Sequence, residues 1–314
     1  PGISAKAAIL KVKEYAEQGY THAVTLDLSK YFDTLNHEML LNILRRNVKD
    51  ERVIQWIKRY LKSGVMENGV VMETEEGSPQ GGNISPLLAN IYLNEFDQEF
   101  EKRGVAFVRY ADDIVLLAKS ERAAKRLLES STKYLEKTLK LKVNQKKSRV
   151  VSVFAIRNFK FLGFTLGKNG KGIYVRVHGK SWKKMKSKLK ALSSRRSVQS
   201  IRPALAKIKV YMRGWLNYYG IADMKNRIEE LNKWLYHRIR MCIWKQWKKP
   251  KTKVKNLRKM GVPEDMAWQA GNSRRGHWFT THTVAVNLAM TKERLISSGF
   301  YDLAAAYQSV HVNC

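Results

Sequence analysis

Three carboxylates carry the chemistry that this sequence suggests most directly. Asp112 and Asp113 stand side by side in Tyr110-Ala111-Asp112-Asp113, between two short apolar runs at residues 105–108 and 114–117. Aspartate is common in turns, where its side chain bonds the nearby backbone, so the pair alone fits a plain turn. The flanking runs, however, read as buried strands, which brings the turn close to a core. Two carboxylates held together there repel, and a divalent cation resolves the conflict. Successive strand side chains point to opposite faces, so both can address one site only at a turn. Asp27 ends another apolar run, Ala23-Val24-Thr25-Leu26, and is the natural third ligand. Three such groups can hold two Mg²⁺ ions about 3.5–4 Å apart, an arrangement that activates a 3′-hydroxyl and stabilises a leaving pyrophosphate. Oxygen-only donors suit Mg²⁺, with Mn²⁺ as a substitute, better than zinc.

The elements that must position these residues alternate between strands and helices. Residues 22–28 (HAVTLDL) are rich in strand formers, and residues 36–48 then read as a helix with Asn36 as its N-cap. A second helical pattern covers residues 50–61, and residues 64–77 read as a hairpin turning at Asn68-Gly69. From Ile84 a helical stripe of Leu87, Leu88, Ile91, Tyr92, Phe96 and Phe100 runs to a stop at Gly104. Residues 121–139 are helical again, and residues 150–154, 159–166 and 173–177 read as strands with glycine-marked turns. The predicted class is α+β, an antiparallel sheet carrying helices, and from Trp182 onward the pattern becomes almost entirely helical.

Charge narrows the partners. Fifty-nine Lys and Arg against 27 Asp and Glu give a net charge of +32. A surplus of that size repels itself unless a polyanion neutralises it. It is also uneven: no Asp or Glu lies between Glu136 and Asp223, nor between Glu230 and Glu264. A mixed-charge body followed by a basic arm fits a nucleic-acid backbone better than an anionic membrane. No apolar run is long enough to span a bilayer. Cys242 and Cys314 form no C-x-x-C pair, which argues against a disulfide scaffold or zinc site and makes a reducing, cytoplasmic setting the default.

The surrounding motifs resemble a known family. Val108-Arg109-Tyr110-Ala111-Asp112-Asp113 is similar to the polymerase signature of reverse transcriptases, in the form found in group II intron-encoded proteins. Asp27-Leu28-Ser29-Lys30-Tyr31-Phe32-Asp33 resembles the family's first metal-binding motif. Residues 77–90 (GSPQGGNISPLLAN) resemble the block that packs against the incoming nucleotide and template. Residues 141–148 (LKVNQKKS) resemble the motif that carries a lysine, and residues 159–164 (FKFLGF) the primer grip. Downstream, residues 201–219 resemble the maturase or thumb domain, and Ser273-Arg274-Arg275-Gly276-His277-Trp278 a motif near the family's C-terminus. No His/Cys-rich endonuclease cluster follows, as in the endonuclease-lacking bacterial lineage.

The resemblance implies a right-hand polymerase palm over residues 1–177, a helical thumb/maturase domain over 178–260 and a small basic DNA-binding-like region over 261–314. It implies RNA-directed DNA synthesis, with an RNA template and intron RNA, a DNA primer or target and dNTPs as partners, together with maturase activity and support of retrohoming. Whether it has protein partners is left open by the sequence. Asp27, Asp112 and Asp113 would be catalytic, joined at the metals by the backbone carbonyl of Leu28. Phe32 would lie under the sugar as a steric gate, although a core aromatic is the plain alternative. Gln80 and Gly81 would contact the nucleotide, glycine allowing close backbone approach. Lys147, with Lys146 as its competitor, would reach the triphosphate. Phe161, Leu162 and Gly163 would form the primer grip. Lys183, Lys184, Lys186, Lys190, Arg213, Arg274 and Arg275 would hold phosphates. Tyr110 either supports the site or packs in the hairpin, Asp33 is structural, and His277 is given no chemistry. Trp234, Trp244 and Trp247 are expected mainly in the core. A non-enzymatic RNA-binding splicing cofactor, or a relative domesticated for repair or defence, is the alternative. Because Pro1-Gly2-Ile3-Ser4-Ala5 resembles the tail of a family motif, upstream fingers are expected to be missing, and the piece to polymerise poorly without them.

Overall fold

Runs of Val, Leu, Ile and Ala long enough to cross a sheet, separated by capped amphipathic segments, build the first of two compact units, Pro1–Val175; the second is Arg176–Cys314. The computed structural model describes residues 4–63, 65–67, 70–72, 76–78, 82–196 and 198–312. The order in the first part is α1 (Ala5–Glu17), β1 (His22–Leu26), α2 (His37–Asn47), α3 (Glu51–Lys62), β2 (Val65–Glu67), β3 (Val70–Met72), α4 (Ser85–Lys102), β4 (Ala106–Tyr110), β5 (Asp113–Ala118), α5 (Glu121–Lys133), β6 (Arg149–Ser152), β7 (Phe164–Asn169) and β8 (Gly172–Val177).

Four of these strands form one sheet in the order β4-β5-β1-β6. All its neighbours are antiparallel, with His22 opposite Ala118 and Leu26 opposite Ile114 across β1 and β5. One face packs on helices. Val24, Leu26, Ile114 and Leu116 join Leu40, Leu88, Tyr92, Phe96 and Phe100 in a continuous core, and Phe96 stacks on Phe100 at 4.2 Å. The caps are local and specific. Asn36 accepts from Met39 N at the start of α2, Asp50 caps α3 through Arg52 N, and Ser120 caps α5 through Ala123 N. Each satisfies a helix donor that would otherwise lack a partner.

Three expectations shift. Leu87 is 58% exposed rather than part of the buried stripe of α4. The helix at 121–139 ends its α-helical part at Lys133 and continues as a wider π-helical turn, Tyr134–Thr138, that keeps Leu135 buried. The strand expected at 159–166 is broken. Leu162 and Gly163 take φ of 50° and 83°, and Phe161 and Phe164 exchange both backbone hydrogen bonds across them. Two consecutive left-handed residues make a tight hairpin turn, so the strand starts only at Phe164. β2 and β3 pair as the expected hairpin; Asn68 and Gly69 lie outside the described residues.

The second unit is helical: α6 (Gly179–Leu192), α7 (Ile201–Tyr219), α8 (Lys225–Gln246), α9 (Pro250–Lys259), α10 (Glu264–Asn272), α11 (His277–Thr280), α12 (Val284–Ala289), α13 (Lys292–Ser297) and α14 (Leu303–Val312). The long helix α8 is its axis. Ile228, Leu231, Leu235 and Ile239 are buried, and three polar groups buried in this unit are paired, whereas the buried Tyr236 hydroxyl has no hydrogen-bond partner among the described residues. Asn232 donates to Asp302 and accepts from Leu303 N, Arg240 donates to the Met290 carbonyl and to Asn287, and Tyr307 bonds the backbone at Ala222 and Met224. Most buried polar groups in folded proteins are satisfied in this way. Of the three tryptophans expected mainly in the core, Trp244 is buried while Trp234 and Trp247 are half-buried; Trp215 is buried as well. Cys242 is buried and free. No described helix is long and apolar enough to cross a membrane.

Candidate active site

Asp27 follows directly on β1, and its backbone is fixed from one side. Its N–H donates to Ser148 Oγ at 3.0 Å, and its carbonyl accepts from Asn144 N at 2.8 Å. Leu28 then bridges antiparallel to Val143, with Ser29 N bonded to the Lys142 carbonyl at 2.8 Å. In that pattern the N–H and C=O of Leu28 point away from residue 143, which leaves its carbonyl on the opposite side from the 141–148 segment.

Continuing the β1–β5 register by one residue past Leu26 and Ile114 sets Asp27 opposite Asp113. Directly opposed residues of an antiparallel pair project to the same face. Asp112 belongs to the two-residue turn between Tyr110 and Asp113, which are themselves paired. Ala111 takes φ of 53° there, a left-handed conformation that costs a non-glycine residue about 1–2 kcal/mol. Arg109 holds it. The guanidinium donates from Nη1 to the Ala111 carbonyl at 3.0 Å and to Asn90 Oδ1 at 2.9 Å, while Nε and Nη2 grip both oxygens of Asp97. Asn90 and Asp97 lie seven residues apart on α4, so one helix face anchors the turn. The Arg109 and Asp97 side chains are 12% and 22% exposed, which makes this the least solvated ion pair among those described. The sequence reading missed this role. The available signal was an arginine inside an otherwise apolar strand.

The electrostatics fit a cation. Asp113 is accessible from one side, yet it titrates above the ordinary carboxylate range. The surrounding protein withdraws solvent, Asp112 and Asp27 repel the charge, and Lys160 opposes them. Lys147 Nζ lies 3.6 Å from Asp27 Oδ1, so an ammonium already stands at one of these carboxylates. Among the described residues, no three His, Cys, Asp or Glu side chains converge into a ready ligand set. The aspartates are neighbours in register and in field, and the donors are all oxygen, which suits a hard divalent ion.

The loop expected to meet the nucleotide is anchored at both ends. Gly77 N bonds the Leu35 carbonyl and Ser78 N the Phe32 carbonyl, while His37 Nε2 meets the Gly77 carbonyl at 2.5 Å. Gly77 has φ of 96°, and a Cβ there would lie 2.9 Å from the Asp33 carbonyl oxygen. At the far end Ser85 Oγ bonds both Ser78 Oγ and Tyr60 Oη. Gln80 and Gly81 lie outside the described residues. Phe32 is half-buried, tilted at 5.5 Å from Tyr31 and packed against the core. In the expected primer grip, Phe161 and Gly163 are buried and Leu162 is partly exposed. Tyr110 is 40% exposed.

Residues 1–166 match the reverse transcriptase (RNA-dependent DNA polymerase) family, and residues 182–261 match the group II intron maturase-specific domain. The chain belongs to the group II intron-encoded reverse transcriptase/maturase family. Protein YkfC of Escherichia coli K12 is 35% identical over 45% of this chain and 45% of its own length. The group II intron-encoded protein LtrA of Lactococcus lactis is 43% identical over 23% of this chain and 12% of its own length. The chain thus spans less than half the length of these relatives. Among solved structures, apo telomerase from Candida tropicalis covers 88% of this chain and 56% of its own, with 12% identity and a TM-score of 0.44, too distant to carry an argument.

In this reverse transcriptase/maturase chain the basic residues singled out from sequence are on the surface. Lys183, Lys184, Lys186 and Lys190 are exposed on α6, whose opposite face buries Met185 and Leu189. Lys186 lies over the Trp234 ring. Arg213, Arg274 and Arg275 are exposed, and Arg275 lies over Phe279. Arg238 is different. It donates to Ser193 Oγ and to the Lys190 and Ser193 carbonyls, tying α8 to the end of α6.

Proposed function

We propose that this chain is the catalytic and RNA-binding part of an RNA-directed DNA polymerase, extending a primer with dNTPs, and that it also serves its intron as a splicing maturase. Residues 1–177 are the palm with partial fingers, residues 178–260 (α6–α9) the thumb/maturase domain and residues 261–314 a small DNA-binding-like region. The observation that carries the reading is the β1–β5 register, Leu26 opposite Ile114, which continued by one residue brings Asp27 opposite Asp113, with Asp112 in the turn beside them. Asp27, Asp112, Asp113 and the Leu28 carbonyl would hold two Mg²⁺. When bound, these ions lower the pKa of the attacking hydroxyl and neutralise charge on the transferring and leaving phosphates.

The chain's own residues do the rest. Ser148 and Asn144 fix the backbone of Asp27, and Arg109 fixes the turn that presents Asp112 and Asp113. Lys147, freed from Asp27, would move to the triphosphate and balance the leaving charge. Phe32, set beside Ser78 at the entry to the nucleotide loop, would close the space under C2′ and favour deoxynucleotides. The Leu162-Gly163 turn would bear on the primer backbone, and the lysines of α6 on phosphates of the duplex.

The test is primer extension on an RNA template with Mg²⁺, comparing the wild type with Asp112→Asn. Loss of synthesis with retained RNA binding is expected; undiminished synthesis would refute the assignment. The maturase reading rests on the match over residues 182–261. Its test is intron splicing at low Mg²⁺ by the same variant, which should persist when synthesis is gone.

A further inference from the structure

The second unit carries a cleft where the proposed thumb/maturase domain meets the DNA-binding-like region, and what it binds rests on the nucleic-acid reading of that unit. α9 and α10 pack closely side by side. A Cβ at Gly271 would lie 2.5 Å from Val254 Cγ2, so only a residue without a side chain lets the helices come this near. Between them opens a groove of about 580 Å³ lined by Pro250, Lys251, Val254, Lys255, Arg258, Trp268 and Asn272. Its composition is unusual for a solvated surface. Trp268 is 63% exposed, among the most exposed large apolar side chains described. Lys251 and Lys255, one helical turn apart on the facing helix, engage in no hydrogen bond or ion pair among the described residues. Arg258, a further turn along, shares its charge with Glu264 at 3.1 Å.

An exposed indole is poorly solvated and tends to be covered by something flat or apolar. The cations beside it select an anionic cover, since bringing further positive or neutral protein surface here would leave two ammonium groups without partners. A flat ring carrying a phosphodiester satisfies both demands. A paired base does not, because its faces are already stacked within the helix. We propose that the α9–α10 groove binds one unpaired nucleotide of a single-stranded nucleic acid. The base lies on Trp268, and its phosphates lie between Lys251, Lys255 and Arg258. Stacking on an aromatic of this kind tolerates any base, so the groove recognises strandedness rather than sequence. No phosphoryl transfer is involved, so the inference stands or falls independently of the aspartates.

The experiment uses the full chain and a short single-stranded oligonucleotide carrying 2-aminopurine, in RNA and DNA forms, beside a fully paired duplex. The wild type should quench 2-aminopurine on binding. Trp268→Ala should abolish that quenching and weaken single-strand affinity about 5- to 100-fold, as expected for loss of one stacked base. Duplex affinity should change less than about twofold, because it depends on phosphate contacts spread over the chain. Trp268→Phe should keep most of the single-strand affinity. Lys251→Gln with Lys255→Gln should reduce the salt dependence of single-strand binding by roughly one phosphate contact or more. A difference between the RNA and DNA arms identifies which strand the groove takes. Because Trp268 is exposed, its replacement leaves the core intact, and an unchanged melting temperature checks this. Unchanged single-strand affinity in Trp268→Ala, or equal loss for single strand and duplex, would overturn the proposal. So would loss of a concentration-dependent dimer instead of nucleotide binding, since the groove would then be a contact between two copies of the chain.

Discussion

The carboxylate hairpin and the helical basic unit use charge in opposite ways. In the hairpin a few acidic groups are held in fixed positions. Strand register sets Asp27 and Asp113 together, and a largely desolvated Arg109–Asp97 pair holds the turn that bears Asp112. The charge there is concentrated, mutually repelling and raised in pKa at Asp113. In the helical unit many lysines and arginines stand exposed on the surface over a buried apolar core. The first arrangement fits a small hard ion, which requires donors to within fractions of an ångström. The second fits a polyanion, which requires only that enough cations lie along its path.

The comparison predicts which changes are severe. Asp27→Asn should have the largest effect, lowering dNTP incorporation on the order of 10³-fold or more while RNA affinity stays within about twofold. Single-turnover extension and a binding titration read the two quantities separately, and parallel losses would merge the two regions into one function. Next is Arg109→Gln, which leaves Asp97 as an unpaired, poorly solvated carboxylate. We expect a stability loss of about 3 kcal/mol in urea unfolding and reduced synthesis. Replacing the pair together, Arg109→Met with Asp97→Leu, should recover the stability but not the synthesis, because the Ala111 carbonyl still lacks its donor. Recovery of both would reduce Arg109 to a structural ion pair.

The basic unit should respond in proportion rather than all at once. Lys183→Ala with Lys184→Ala should reduce the salt slope of RNA binding by roughly 1–2 and leave the rate on a saturated primer–template unchanged. The smallest effect concerns His237, stacked on His282 at 3.8 Å. Burial, then His282 and Arg240, hold its pKa below the ordinary histidine value. The unfolded chain therefore takes up this proton first as pH falls. The stabilisation is complete above about pH 6.5 and declines below it. A His237→Gln variant should show a flatter stability profile between neutral and mildly acidic pH, measured by thermal melts.

Much of this was legible in the sequence where local chemistry decides structure. The Asn36 cap, the buried runs around Asp112-Asp113 and the Met185/Leu189 face of α6 follow from short-range patterns. What escaped was set by contacts distant in sequence. Arg109 meets Asp97 and Asn90 only because β4 lies along α4, and neither partner is marked by spacing from Arg109 itself. The turn at Leu162-Gly163 hid inside an apolar run because one residue without glycine's freedom, Leu162, takes a left-handed conformation. Trp268 was not marked either: it lies off the Ala267, Ala270 and Gly271 face that α10 buries, and the residue type itself carries no sign of exposure.

The most direct measurement is Mn²⁺ binding, followed by electron paramagnetic resonance, for the wild type and Asp112→Asn in the presence of primer–template and dNTP. The account predicts about two ions bound to the wild type and loss of the tight binding in the variant. Identical titrations for the two proteins would contradict it.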